Sequence, residues 1–351
     1  MRDLLDDYDR LTAAGEPFGR AVVTSVWGSA PRAEGSSMLA TGSGVMAGSV
    51  SGGCVEGATA TEIAAAIERG TPRLVTFGVS DEKAWEVGLA CGGTIKVLVE
   101  PTVRPEVLQA ARGPGGEVVA TVIEGPGIGT SARVREDGAV EGDLARRVPA
   151  DALAAAALDA LRRERSGSVA LESAEGTVTV FLEAFPRQPR LVIFGGVHIA
   201  TALVPLARLL GYRTIVADGR QAFLTRERFP EADELILAWP DEAFDRIGLD
   251  AGCYVCILSH DPKFDEPALR LALRSPAAYV GAIGSKKTQI KRQEWLRSEG
   301  FSEADIARVH GPIGLDLGGR APAETALAIL AEMTAVRYGG GADGRRSNRA
   351  E

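Results

Sequence analysis

Arg190-Leu191-Val192-Ile193-Phe194-Gly195-Gly196-Val197-His198-Ile199-Ala200 is the stretch on which the fold of this 351-residue chain turns. Four apolar residues in a row, with no polar alternation, suit a strand buried on both faces of a parallel sheet. Two glycines break the run. Ala200, Leu203, Val204, Ala207 and Leu210 then recur on one helical face, and Gly211 is the expected C-terminal cap. Thr214 to Ala217 reads as a second strand, ending at Asp218. Strand, glycine turn, helix, strand and terminal acid together form the Rossmann βαβ pattern. Cys253–Leu258 and Ala278–Ile283 are further buried strands, and Pro322 introduces a last helix over Ala323–Val336. Residues 189–338 therefore predict a Rossmann-type α/β domain, a parallel sheet with helices on both faces.

In such a turn the glycines let the helix N-terminus present its N–H groups to a pyrophosphate, and the acid after the second strand accepts from ribose hydroxyls. Gly195, Gly196 and Asp218 take those places. Val197, however, stands where the G-x-G-x-x-A pattern needs a glycine, and Pro205 lies inside the helix. The turn thus has two readings, a working NAD(P) loop or a Rossmann scaffold whose nucleotide site has degraded.

Ligands of open parallel sheets bind at the carboxyl ends of the strands. His198 follows the first strand of this sheet, and Ser259-His260-Asp261 follows the Cys253–Leu258 strand, its expected neighbour. Gly284-Ser285-Lys286-Lys287-Thr288 opens a helix and suits an anion. Asp316 and Gly318-Gly319-Arg320 form another polar loop. Each has a plainer reading: Asp261 as a helix cap, the lysines as a solvated face. Their joint occurrence on one edge favours a ligand cleft. Cys253-Tyr254-Val255-Cys256 has C-x-x-C spacing but lies within a strand, where residues three apart point to opposite faces; both cysteines are expected in the core.

Upstream, residues 1–103 read as a smaller α/β domain: a helix around Leu4–Leu11, strands at Arg20–Trp27, Arg73–Phe77 and Thr94–Glu100, and a helix over Thr59–Ile67, with a polar glycine-rich stretch over 28–57. Residues 104–188 read as a β-rich connecting region, with an Ala/Leu helix at Asp151–Arg163. Residues 339–351 read as a disordered tail. Cys54, in Ser51-Gly52-Gly53-Cys54-Val55-Glu56-Gly57, and Cys91, in Cys91-Gly92-Gly93, sit in glycine-rich turns. Open flanks and a following helix suit a nucleophilic or metal- and sulfur-contacting thiolate; the alternative is two small residues filling tight turns. Arg32 offers a cation to an anion nearby.

Composition sets the outer limits. Charged residues are 25% and apolar residues 45%, ordinary for a globular protein, and the formal charge of -8 argues against broad nucleic-acid binding. No apolar run spans a bilayer and no secretory leader is visible, so a cytoplasmic location is expected. Four cysteines in that setting are not a disulfide framework.

Several segments, in this order, resemble the XdhC/CoxI family of accessory proteins for molybdenum hydroxylases. They are Ser25-Val26-Trp27-Gly28-Ser29-Ala30-Pro31-Arg32, Ser51–Glu56, Cys91-Gly92-Gly93, Leu258-Ser259-His260-Asp261, Tyr279–Lys286 and Pro312-Ile313-Gly314-Leu315-Asp316-Leu317-Gly318. The chain departs from the family's usual Gly-Ala-Gly-His turn with Gly195-Gly196-Val197-His198. The resemblance implies a chaperone more than a metabolic enzyme. It would bind molybdenum cofactor, as molybdopterin or its cytosine dinucleotide, support its sulfuration and deliver it to an apo-hydroxylase of the xanthine or CO dehydrogenase type. A cysteine desulfurase and a second copy of the chain are further implied partners. Read from the residues, the candidate contacts for such a cargo are Cys54 and Cys91 for sulfur or metal, and Arg32, Gly195, Gly196, His198, Asp218, His260, Asp261, Gly284, Ser285, Lys286 and Asp316 for the rest of the cofactor. An NAD(P)-dependent oxidoreductase, and a plain interaction scaffold with a vestigial site, are the alternatives.

Overall fold

The computed structural model describes residues 1–28, 31–78 and 93–340. The chain divides into two compact units, Met1–Arg187 and a second beginning at Gln188.

The first unit opens with α1 (Leu5–Ala14), β1 (Phe18–Trp27), β2 (Ser37–Thr41), β3 (Met46–Gly48), α2 (Glu56–Arg69), β4 (Arg73–Phe77) and β5 (Thr94–Glu100). Its strands make an antiparallel sheet ordered β3-β2-β1-β5-β4. Ile63 and Ala66 of α2 pack on Ala21, Val23, Met38, Ile95 and Val97 from one face of that sheet. The glycine-rich stretch 28–57 thus hides two strands that polar composition obscured, and β2 is buried along its whole length.

Residues 104–188, expected as a β-rich connecting region, carry a second five-stranded antiparallel sheet. α3 (Pro105–Arg112), β6 (Glu117–Glu124), β7 (Ser131–Arg135), β8 (Val140–Glu141), α4 (Ala150–Arg162), β9 (Gly167–Ser173) and β10 (Gly176–Phe185) build it, in the order β8-β7-β6-β10-β9. Leu153 and Ala157 of α4 cover one face. On the other, Ile123 and Phe181 meet Val22 and Leu98 of the first sheet. The two sheets lie within one compact unit, Met1–Arg187.

Buried charge crosses this interface. The Arg20 guanidinium on β1 donates to Glu100 on β5 at 3.3 Å, to the Ser37 hydroxyl on β2 at 3.0 Å and to Glu183 on β10. Arg104 closes on Glu100 from the start of α3. All three members of the Arg20–Glu100–Glu183 group are at most 4% exposed. Such charges are tolerated only when paired.

In the second unit the order is β11 (Arg190–Phe194), α5 (His198–Leu209), β12 (Arg213–Asp218), β13 (Glu234–Leu237), α6 (Pro240–Ile247), β14 (Cys253–Ile257), α7 (Pro262–Arg274), β15 (Tyr279–Ala282), α8 (Lys286–Ser298), α9 (Glu303–Ala307), β16 (Val309–His310) and α10 (Pro322–Tyr338). The sheet is parallel throughout, ordered β13-β12-β11-β14-β15-β16. Strand order reverses between β11 and β14, which is where ligands of such sheets sit. α5 and α10 pack on one face, and α6 and α7 on the other. Cys253 belongs to the second of these cores and Cys256 to the first, so the C-x-x-C pair splits across the sheet as its spacing predicts. The helix α5 runs through Pro205.

Candidate functional site

The Cys54 loop is organised by a single carboxylate. Glu56, the first residue of α2, reaches back over the loop that precedes it. It accepts from the hydroxyls of Ser49 and Ser51, both at 2.6 Å, and from the backbone N–H groups of Val50, Ser51, Gly52 and Gly53 at 2.9 to 3.2 Å. Ser51 Oγ in turn accepts from the N–H groups of Cys54 and Val55. The negative end of this arrangement sits at a helix N-terminus, where the backbone dipole favours it. Burial alone would raise the Glu56 carboxyl; the donors from Ser49 and Ser51 outweigh it and bring the pKa down to about 2. Gly53, at φ +121, has open space where a Cβ would stand.

Cys54 is exposed at the tip of this fixed loop. Arg32 donates to the Ser49 carbonyl at 3.3 Å, and Pro31 lies against Gly52. The Pro31-Arg32 motif and the cysteine loop are thereby brought together from separate parts of the sequence. Cys91 lies outside the described residues, as do Ser29, Ala30 and the tail from 341.

The turn after β11 is built differently. Gly195 has φ +110, and a Cβ there would lie 2.6 Å from the backbone nitrogen of Ser259. A Cβ on Gly196 would overlap the Phe223 carbonyl oxygen. These glycines allow close packing of protein on protein. The Gly196 N–H donates to Asp218 at 2.8 Å, and the Val197 N–H turns back to the Gly195 carbonyl at 2.9 Å.

Asp218 also departs from the ribose-binding role its position suggests. It is fully buried. Beyond Gly196, its two oxygens accept the Arg220 backbone N–H and a two-pronged contact from the Arg220 guanidinium, each at 2.9 Å. Burial would raise its pKa, but these donors hold it below the ordinary range. With both oxygens engaged inside the fold, it has no capacity left for ribose hydroxyls. Arg220 is fixed over the Phe223 ring at 4.0 Å. The reason is local: an arginine two residues past the strand end folds back on the acid, a pairing that strand patterning does not signal.

The loops after β11 and β14 touch through Gly195 and Ser259. His198 and His260 are both exposed, one at the start of α5 and the other at φ +60 in the loop after β14. Asp261 caps α7 by accepting from the Lys263 N–H at 3.1 Å, as the plainer reading expected. Ser285 caps α8 by accepting from Thr288 N–H at 3.1 Å, which leaves Lys286 and Lys287 exposed on its first turn. Gly284 keeps its φ at +149 with Thr288 against it. Asp316 is exposed. Its loop is held from below by Glu332, which accepts from the Gly314 N–H at 2.9 Å and from Tyr279 and lies 3.3 Å from His310 Nδ1.

Four further polar residues gather beside this edge: Arg220, Ser259, Asp265 and Arg292. Ser259 donates to Asp265, and burial raises the Asp265 carboxyl. Arg292 donates to the Ile283 carbonyl at 2.8 Å and to the Gln289 side chain at 2.7 Å. Asp265 is a half-buried charge in the first turn of an amphipathic helix, a weak sequence signal, whereas Arg292 is one of many charges on α8 and has none. Together with Leu269 and Trp295 they line a cavity of about 230 Å³ between α7 and α8. A larger cleft of about 1000 Å³ lies in the first unit, away from every residue expected in a site. Its arginines are already matched, Arg104 with Glu100, Arg133 with Glu117, Arg146 with Asp143 and Arg147 with Glu175.

Comparison with known proteins agrees with this architecture. The model of the XdhC and CoxI family matches residues 11–78, and that of the XdhC Rossmann domain matches residues 191–333. A Bacillus subtilis protein described as a probable subunit of xanthine dehydrogenase is 26% identical over 94% of this chain and 96% of its own length. The Escherichia coli molybdenum cofactor insertion chaperone PaoD is 26% identical over 91% of this chain and 84% of its own. A crystal structure described as a xanthine dehydrogenase from Bacillus halodurans superposes with a TM-score of 0.72 at 22% identity, over 99% of this chain and 97% of that one. With both family segments present in order on one chain, and a parallel sheet where the second requires it, the chain belongs to the XdhC and CoxI family.

Proposed function

We propose that this chain is an accessory protein for molybdenum hydroxylases, which binds molybdenum cofactor as cargo, supports its sulfuration and inserts it into a hydroxylase of the xanthine or CO dehydrogenase type. The observation that carries the reading is the near full-length likeness to a cofactor insertion chaperone, PaoD. The geometry adds to it. Cys54 offers an exposed soft donor on a loop that Glu56 holds in place, which suits a sulfur-bearing or metal-bearing group. Cys91 is proposed as its companion. Arg32, His198, His260, Ser285, Lys286 and Asp316 are proposed contacts for the rest of the cargo, in its molybdopterin or cytosine dinucleotide form. A cysteine desulfurase and the apo-hydroxylase are the proposed partners, in the cytoplasm, with the chaperone itself as a homo-oligomer.

Hydride transfer with NAD(P) draws less support. The two turn glycines are packed against the protein's own backbone, and the acid at the second strand end is closed by Arg220. The test is direct: incubate the purified chain with molybdenum cofactor and, separately, with NAD(H), and measure what is retained. Cofactor retention with weak NAD(H) binding is expected. Tight NAD(H) binding without cofactor retention would overturn the proposal.

A further inference from the structure

The cavity between α7 and α8 has a chemistry of its own. At about 230 Å³ it holds about eight waters' share of liquid volume, which is room for one fused ring and less than a whole nucleotide needs. Pro262, Leu269 and Trp295 supply apolar wall. Four charged residues interrupt that wall: Asp265 and Arg292 are half-buried, and Glu266 and Lys291 are exposed. Asp265 is half-buried, with Oδ1 engaged by Ser259; among the described residues no hydrogen bond is made to Oδ2. Arg292 is anchored by the Ile283 carbonyl and Gln289, so its guanidinium enters the pocket in a fixed position. No ion pair joins it to Asp265 among the described residues. Carboxylate and guanidinium therefore stand in one pocket near enough for each to favour the other's charge but without a close ion pair, and a ligand that bridged them would offset part of the remaining desolvation cost.

We infer that this cavity is a binding pocket for a planar fused ring with a 2-amino-4-oxo-pyrimidine edge, the edge shared by pterins and guanine. That edge carries two adjacent N–H donors, which a carboxylate accepts in parallel. Its carbonyl oxygen lies next to them and suits the arginine. Adenine lacks the paired donors and cytosine reverses part of the pattern, so the same two residues disfavour both. The pocket lies next to the carboxyl edge of the sheet, where α7 and α8 begin. The inference rests on the proposed function only for the identity of the natural ligand, the pterin portion of the cargo.

Saturation-transfer NMR and isothermal titration on the full chain would test it with three probes: a 6-substituted pterin, guanosine 5′-monophosphate and adenosine 5′-monophosphate. The pterin and the guanine nucleotide should bind at least ten-fold more tightly than the adenine nucleotide. Asp265→Asn should weaken both by ten-fold or more, and Leu269→Trp, which fills the cavity and keeps the carboxylate in the chain, should abolish both. Equal affinity for all three probes, no binding of any, or full affinity in either folded variant would overturn the inference. The ranking on the unmodified protein stands by itself if a variant does not fold. Cofactor retention without ring selectivity would leave the proposed function intact and remove this pocket; ring selectivity without cofactor retention would do the reverse.

Discussion

Two glycine-rich loops, each leading into a helix, use glycine for opposite purposes. In the loop before α2, Gly52 and Gly53 adopt φ +80 and +121, and Gly53 has nothing within 4 Å of a would-be Cβ. Glycine there supplies backbone freedom, so that consecutive N–H groups converge on Glu56 and Cys54 is left outside. In the turn before α5, Gly195 and Gly196 are buried, and a side chain on either would meet neighbouring backbone. Glycine there supplies thinness, so that the loops after β11, β12 and β14 can close on one another. Each loop is pinned by one carboxylate, Glu56 in the first and Asp218 in the second. The first arrangement turns a thiol outward. The second turns its polar groups inward, and a loop that resembles a nucleotide site becomes a packing joint.

The contrast is broken most sharply at Gly196. Alanine there must displace the Phe223 backbone, and overpacking against a fixed main chain costs about 3 kcal/mol or more. Urea denaturation of Gly196→Ala should show that loss, whereas Gly53→Ala, strained in φ but unobstructed, should cost about 1–2 kcal/mol. Equal costs at the two sites would mean that the distinction between thinness and freedom is wrong.

The two carboxylates come next. Asp218→Asn leaves Arg220 facing an amide in a buried position and should cost about 2–3 kcal/mol. Glu56→Gln, in a more exposed loop where water can replace lost donors, should cost about 1–2 kcal/mol. Acid separates them from a merely steric role. The Glu56 pKa is depressed, from an ordinary value of 4.5 to about 2. Its contribution is therefore complete above about pH 4.5 and is lost as pH falls towards 2. Asp218 is depressed in the same direction from 3.8 and behaves alike. Stability measured between pH 5 and 2 should fall less steeply in either variant than in the unmodified chain. Identical slopes would show that the carboxylates are not the groups that hold the loops.

Much of the second unit is legible in the sequence because its signals are local. Leu191–Phe194 is an unbroken apolar strand, the helical stripe from Ala200 follows it, and the spacing of Cys253 and Cys256 places them on opposite faces of β14. The first unit is harder to read because its organisation is long-range. Arg20 meets carboxylates 80 and 163 residues away, and nothing near Arg20 in the sequence announces either. β2 is hidden because its ends are Ser37 and Thr41, buried polar residues: the Ser37 hydroxyl accepts from Arg20 on β1, and the Thr41 hydroxyl is engaged by Ser43 and Val45 in the turn that follows. At the candidate site, residue types at the sheet edge are legible, and their bonding is not. Asp218 has the position of a ribose acceptor, and only the fold shows Arg220 turned back on it. Asp265 and Arg292 are invisible as a pair, since one lies on α7 and the other on α8.

The smallest effect on stability, and the most informative about function, is expected at Cys54. Its side chain is exposed and its loop is held by Glu56 and Ser51, not by the thiol. Cys54→Ser should stay within about 0.5 kcal/mol of the unmodified chain, as surface substitutions do. Cys253 and Cys256 are buried, and burial pushes both thiols up, so neither presents an accessible thiolate. Alkylation of the native protein followed by mass spectrometry should therefore modify Cys54 rapidly, while Cys253 and Cys256 react only on unfolding. If Cys54 proves slow, the outward-facing loop is not the reactive one, and the comparison loses its functional half. If it is fast and Cys54→Ser retains stability but loses cofactor retention, freedom of the backbone at Gly52 and Gly53 has a purpose that the turn at Gly195 does not share.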